Sequence, residues 1–136
     1  MLDTDICSYL MRRPSPVLLQ RMQEVAEGDD PIGISVVVYG ELRFGAESSQ
    51  AKAKHHALID ALSERFDFIA DWSPEQVDIF VTLHDRLRRE GRTIGANDAM
   101  IAAHALSLDA TLVTNNDRHF SRVEGLRYET WAAPDR

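Results

Sequence analysis

The chain has a single cysteine among its 136 residues, Cys7. No internal disulfide can form, which excludes a disulfide-framed secreted scaffold. No apolar run approaches the roughly 20 residues that a membrane helix needs, and no basic-then-apolar signal segment opens the chain. Lysine is scarce: Lys52 and Lys54 are the only two, and every other base is arginine. Twenty-two acids against fifteen bases leave a formal charge of −7, which argues against a protein that holds nucleic acid by bulk positive charge. Linkers, low-complexity tracts and internal repeats are absent too. A cytoplasmic, soluble protein with one domain over residues 1–136 is the expectation, and no membrane partner is implied. A chain of this size buries about two-thirds of its unfolded surface, so it needs no staple to fold.

What is present is a regular alternation of short strands and helices. Leu2 is expected to end a short buried strand that runs into Asp3. Helices are expected over 5–12, closed by Pro14, and over 16–27, closed by Gly28. Residues 31–35 read as a strand. Propensity alone would continue it through Val36-Val37-Val38, but Ser35 ahead and Gly45 behind mark a helix over 36–46. A helix over 51–65 and a strand over 66–70 follow. Ser73-Pro74-Glu75-Gln76 is a helix start with a capping box, and that helix should run to Glu90. Asn97 is expected to cap a small-residue helix over 98–108. Strands over 111–114 and 126–130 complete an α/β fold with a central, mostly parallel sheet and helices on both faces.

In such a sheet, ligands gather at the carboxyl ends of the strands near the point where strand order reverses. Asp3 stands directly after the first strand, and Asn115, Asn116 and Asp117 stand directly after the strand over 111–114. Asp98 sits in the first turn of its helix, where a carboxylate also gains from the helix dipole. Glu41 is expected on an inward stripe formed by residues 37, 38, 41, 44 and 45. A buried carboxylate is costly unless it is paired or bound to metal, so the plain alternative is an ion pair with Arg43 or Arg21. Several carboxylates brought together repel, and at least one should hold its proton more tightly. A hard divalent cation, Mg²⁺ or Mn²⁺, removes that conflict, readies a water for attack and offsets charge on a phosphodiester. The chemistry implied is phosphodiester hydrolysis.

Other residues have plainer readings. Cys7 is expected in the core, and Trp72 and Trp131 as packing anchors. His55, His56, His84, His104 and His119 lack zinc-ligand spacing and read as surface or packing residues. Arg86, Arg88, Arg89 and Arg92 form either a solvated helix face or a patch that contacts phosphate or a partner.

Four segments, in order, resemble one family over essentially the whole chain: Met1-Leu-Asp-Thr-Asp5, Ile34 through Ala46 (ISVVVYGELRFGA), Ile94 through Ala105 (IGANDAMIAAHA) and Leu112 through Phe120 (LVTNNDRHF). The likeness is to the PIN-domain ribonucleases, and among them to VapC-type toxins of bacterial toxin–antitoxin pairs. It implies a three-layer PIN-like fold and a Mg²⁺-dependent endoribonuclease, with Mn²⁺ as an alternative ion, neutralised by a cognate antitoxin. By this resemblance Asp3 and Asp98 hold the metal and Glu41 completes the pocket, directly or through water. The fourth catalytic position falls on Asn116, where many relatives have Asp. Asp117 or the extra acid Asp5 could serve instead, and Asp5 could equally cap the first helix. Initiator tRNA is among the implied RNA substrates. A homodimer that joins two arginine-lined rims is expected, because an acidic chain alone has little affinity for RNA. Two other readings compete: a catalytically inactive PIN-like binding module, and an aspartate-based phosphatase suggested by Asp3-Thr4-Asp5. The second needs a late lysine, and none follows Lys54.

Overall fold

The computed structural model describes residues 1–131; residues 132–136 of the expected domain lie outside the described residues. Two parallel pairs of short strands flank the first residues of the chain. Strand β1 (Gly33–Ser35) pairs with β2 (Phe68–Ala70), Gly33 opposite Phe68 and Ser35 opposite Ala70. Strand β3 (Leu112–Val113) pairs with β4 (Tyr128–Glu129). Met1–Asp3 lies between the pairs. On one side the Leu2 N–H donates to the Gly33 carbonyl at 2.9 Å; on the other, Val113 N–H donates to Met1 O and Asp3 N–H to Val113 O, both at 2.8 Å. Leu2 forms a parallel bridge with Val113. The order is therefore β2, β1, Met1–Asp3, β3, β4. Later strands add to either side of the first segment, and Asp3 emerges at that switch point. The expected α/β class with a mostly parallel sheet is the one observed.

The helices are α1 (Thr4–Arg12), α2 (Pro16–Glu27), α3 (Val36–Glu47), α4 (Lys52–Ser63), α5 (Pro74–Arg89), α6 (Ala96–Ser107) and α7 (Asp117–Phe120). Helix α1 packs against α3 and α4, and α5 lies along α6, which α3 also touches. Ala99, Ile101, Ala102, Ala103 and Ala105 of α6 are fully buried. Small side chains there let the helix approach the core closely. Cys7 and Trp131 are also buried, as expected. Trp72 packs edge-on against Phe80 and His104.

Local chemistry explains where the observed boundaries depart from the expected ones. Helix α1 begins at Thr4, not at residue 5, because Asp3 is its N-cap. The three valines are helical: Ser35 Oγ accepts from the Val37 N–H at 3.0 Å, and the helix runs past Gly45 to Glu47. That same hydroxyl is hydrogen-bonded to buried His104 Nδ1 at 2.7 Å. The bond ties the start of α3 to α6. Asn97 does not cap α6; Gly95, at φ 86°, does. A side chain there would strain the backbone, and Asn97 is thereby placed inside the first turn. The Ser73 N–H donates to Gln76 Oε1 at 2.9 Å, as the capping box requires, and Gln76 Nε2 donates on to Ser107 Oγ at 3.0 Å, joining α5 to α6. The strands are two or three residues shorter than expected, since most of their flanking residues pair on one side or not at all. Helix α7 was not expected; its four residues are too few to show a period. Within the arginine cluster, Arg88 and Arg89 pair with Asp85, and Arg86 with Glu124, in solvent-exposed pairs.

Gly33 tests the centre of this arrangement. A Cβ there would lie 2.4 Å from the Phe68 carbonyl, whereas one at Gly40 on α3 would meet nothing within 4 Å. Gly33→Ala should lose about 1–3 kcal/mol by forcing β1 from β2, and Gly40→Ala should gain about 0.5–1 kcal/mol from helix propensity. Urea unfolding midpoints of the two variants, read against the parent, check both signs.

Candidate active site

Asp3, Glu41, Asp98 and Asn116 lie far apart in sequence, yet hydrogen bonds through shared neighbours gather them into a ring that the Asn97–Asp98 backbone closes. Asp3 is 5 % exposed. Its Oδ1 accepts from the Thr4 N–H at 2.8 Å and its Oδ2 from Thr114 Oγ1 at 2.7 Å. Thr4 continues the ring, its hydroxyl donating to Glu41 Oε1 at 3.0 Å. The side chain of Asn97, the neighbour of Asp98, also favours the ionised Glu41 carboxylate. Asp98 Oδ2 accepts from Asn116 Nδ2 at 3.3 Å and stands 2.6 Å from His119 Nδ1. The Asn116 N–H returns to Thr114 Oγ1 at 2.9 Å. Thr114 is fully buried and is the hinge of the ring, taking a proton from Asn116 and giving one to Asp3.

Two placements differ from the sequence expectation. Glu41 does not face the core: the buried stripe of α3 is Val38, Leu42 and Ala46, and Phe44 is 75 % exposed. Its carboxylate sits half-buried at the margin of that stripe, over α1. Its expected guanidinium partners are engaged elsewhere, Arg43 with Asp60, Tyr39 and His56, and Arg21 with Glu24 and Glu129. Asp117 is turned away from the ring and accepts from the Tyr128 hydroxyl. Asp5 joins the periphery, its Oδ2 accepting from the Asn115 N–H at 3.0 Å and its Oδ1 from the Ile6 N–H at 2.7 Å. It thus bonds within the first turn and does not cap it.

The ring is anionic. Among the described residues no arginine or lysine forms an ion pair with Asp3, Asp5, Glu41 or Asp98. Burial, opposed by the Thr114 hydroxyl and reinforced by Asp5 and Asp98, raises the Asp3 pKa to about 7. Burial chiefly raises Asp5 and Glu41 as well, and the Asp98 charge adds to each. One carboxylate thus acts on the other three, which places all four in a common field. No three acidic, histidine or cysteine side chains among the described residues stand close enough to bind one ion as they are. Mg²⁺ needs only one or two carboxylates beside its waters. The donor set suits a hard cation: carboxylate oxygens that no arginine or lysine among the described residues pairs with, and beside them Asn115, whose N–H meets Asp5 and whose Oδ1 and Nδ2 are buried without a partner.

Sequence reasoning passed over Thr4, Thr114, Asn97 and His119. The two threonines each directly follow a strand end, and Asn97 precedes Asp98, so position alone was a usable signal. His119 lies three residues beyond Asn116, one helical turn, but that turn belongs to the unexpected α7.

The PIN domain family model matches residues 1–126. The chain is 34 % identical over 131 residues to "Ribonuclease VapC2" of Rickettsia felis, covering 96 % of each. It is 36 % identical over 132 residues to the "tRNA(fMet)-specific endonuclease VapC" of Shigella flexneri, covering 97 % of each. Its fold superposes on a chain in the crystal structure of VapBC2 from Rickettsia felis bound to a DNA fragment from their promoter. There the TM-score is 0.91 at 33 % identity, over 97 % of this chain and 98 % of that one.

The raised Asp3 pKa fixes a sign for stability without metal. The folded state keeps the proton to about pH 7, whereas the unfolded chain releases it near 3.8. This contribution is full below pH 4 and is lost as pH rises through 7. In chelator, Asp3→Asn should melt near the parent at pH 4.5 and increasingly above it up to pH 7, with no further gain beyond. With Mg²⁺ at ~100 times its Kd, the parent should gain about 2.7 kcal/mol, roughly 10 °C for a domain this size, and its deficit against the variant at pH 7 should narrow by that amount. Thermal melts across pH with EDTA or Mg²⁺ read both effects.

Proposed function

The chain belongs to the PIN domain family, and from that premise we propose that it is a Mg²⁺- or Mn²⁺-dependent endoribonuclease, a VapC-type toxin restrained by a cognate antitoxin. The observation that carries the reading is the hydrogen-bonded ring through Asp3, Glu41, Asp98 and Asn116, which holds several carboxylates in one field with no guanidinium among the described residues to neutralise them. A structural carboxylate cluster without pairing would cost stability; a cluster kept for metal would not. The relatives named as ribonucleases and as a tRNA(fMet)-specific endonuclease support the reaction class and make initiator tRNA the substrate to test first. The VapBC assembly supports an antitoxin as partner. No helix among the described residues is long and apolar enough to cross a membrane.

Asp3 and Asp98 would hold the ion. When bound, it activates water and offsets negative charge on the phosphodiester. Asp3 is pre-aimed by donors on both of its oxygens, so little side-chain freedom remains to be lost. Glu41 is held by Thr4, and its burial raises its proton affinity. It is suited to take a proton from attacking water at a carboxylate oxygen. Asn116 brings no charge in the fourth position. Its amide restrains Asp98 and, through its backbone, Thr114. A second copy of the chain belongs to the same proposal: Val77 and Val81, one turn apart on α5, are 38 % and 51 % exposed and form an apolar stripe. A monomer mass from small-angle scattering would overturn that part.

The central test is RNA end mapping after brief expression, with Asp98→Asn as control. Loss of several kcal/mol of charge stabilisation should slow cleavage on the order of 10³-fold, with growth arrest lost as well. Cleavage persisting unchanged in Asp98→Asn would leave the inactive binding module as the better account.

A further inference from the structure

We propose that His119 is a positioning residue for the metal site: its ring N–H holds one oxygen of Asp98 so that the other is presented to the cation. This rests on the reading that Asp98 binds the ion. His119 Nδ1 lies 2.6 Å from Asp98 Oδ2, the oxygen that Asn116 Nδ2 also approaches at 3.3 Å. Asp98 Oδ1 has no hydrogen-bond partner among the described residues. Asn116 Nδ2 also stands 3.1 Å from Nδ1; a carboxylate acceptor at 2.6 Å requires the proton on Nδ1, which leaves the Asn116 amide to donate to Asp98 and not to the ring.

The backbone that carries the ring is itself restrained. The Asn116 carbonyl accepts from both the His119 and the Phe120 N–H at 3.2 Å, and the Phe120 side chain is fully buried. The Asn116 N–H is bound to Thr114, the residue that also holds Asp3. The imidazole is therefore presented from a turn bonded to the same hydroxyl as the other proposed metal ligand. Two donors on one oxygen stop the Asp98 carboxylate from turning, so binding an ion need not order it. Hydrogen-bonded groups behind a metal ligand are typically worth 10- to 100-fold in affinity.

The atoms supply a sharp test. His Nδ1 and Asn Nδ2 both stand two bonds from Cβ, whereas the Gln amide nitrogen stands one bond farther out. Mn²⁺ binding to the whole chain, followed by electron paramagnetic resonance with Mg²⁺ as competitor, reads affinity without reference to cleavage. His119→Ala should weaken both ions about 10- to 100-fold. His119→Asn should restore the parent affinity, and His119→Gln should not. Parent-like binding by His119→Ala overturns the inference, as does rescue by Gln equal to that by Asn. A loss much larger for Mn²⁺ than for Mg²⁺ also overturns it, because that is the signature of an imidazole bound directly to the metal. If His119→Ala fails to fold by circular dichroism, the comparison of Asn with Gln still decides. Asp98→Asn separates the two levels. If that variant binds Mn²⁺ as the parent does, the reading of Asp98 as a ligand fails and the inference with it. If Asp98→Asn loses the ion while His119→Ala keeps it, only the inference falls.

Discussion

Asp3 stands where the backbone of the central segment ends and α1 begins, and the candidate site depends on how that one residue is held. Its N–H belongs to the sheet, donating to Val113, while its carboxylate caps α1 and accepts from Thr114. A carboxylate so deeply buried would ordinarily be turned out to water. Here the backbone that fixes it is the innermost part of the sheet, bonded on both sides, so it cannot move without breaking the fold. The strain appears as a proton affinity far above that of a free aspartate. The other acids are arranged around this constraint by neutral spacers. Thr4, Asn97, Thr114 and Asn116 keep the charges apart yet in one network.

The sheet topology makes the gathering possible. Because the chain begins in the middle and adds strands to either side, the end of the first segment faces both the start of α3 and the loop after β3. Helix α6 reaches the same place because its alanines let it lie close to the core. The Ser35–His104 bond then sets α3 against α6. Glu41 and Asp98 are positioned by packing and capping contacts well away from themselves, which is why a residue such as Gly33 matters to a site it does not touch.

Much of this was legible in the chain. The acids Asp3 and Asp98 follow from their places at a strand end and a helix start, positions that any parallel sheet turns into a cleft. The helical reading of Val36–Val38 held because a cap and a stop outweigh β propensity over three residues. Glu41 was recognised as a site residue for a wrong reason. The assumed inward stripe is rotated from the real one by about one residue, 100° on a helix, so the core stripe runs through Val38 and Leu42 and Glu41 falls at its edge. Asn97 and His119 were misread because their roles depend on a positive-φ glycine and a four-residue helix, features that leave no periodic trace.

Composition and pattern alone determined the class of fold, that one cysteine cannot form an internal disulfide, that no apolar run reaches membrane length, and the acids that could meet at a strand end, because burial periodicity and capping are local properties of the chain. Which way Glu41 faces, that Asp117 turns to Tyr128, and that a histidine stands behind Asp98 were decided only by the tertiary structure. Each depends on the rotation of a helix or the path of a short turn. Those are set by packing between segments distant in the chain, which no window of sequence contains.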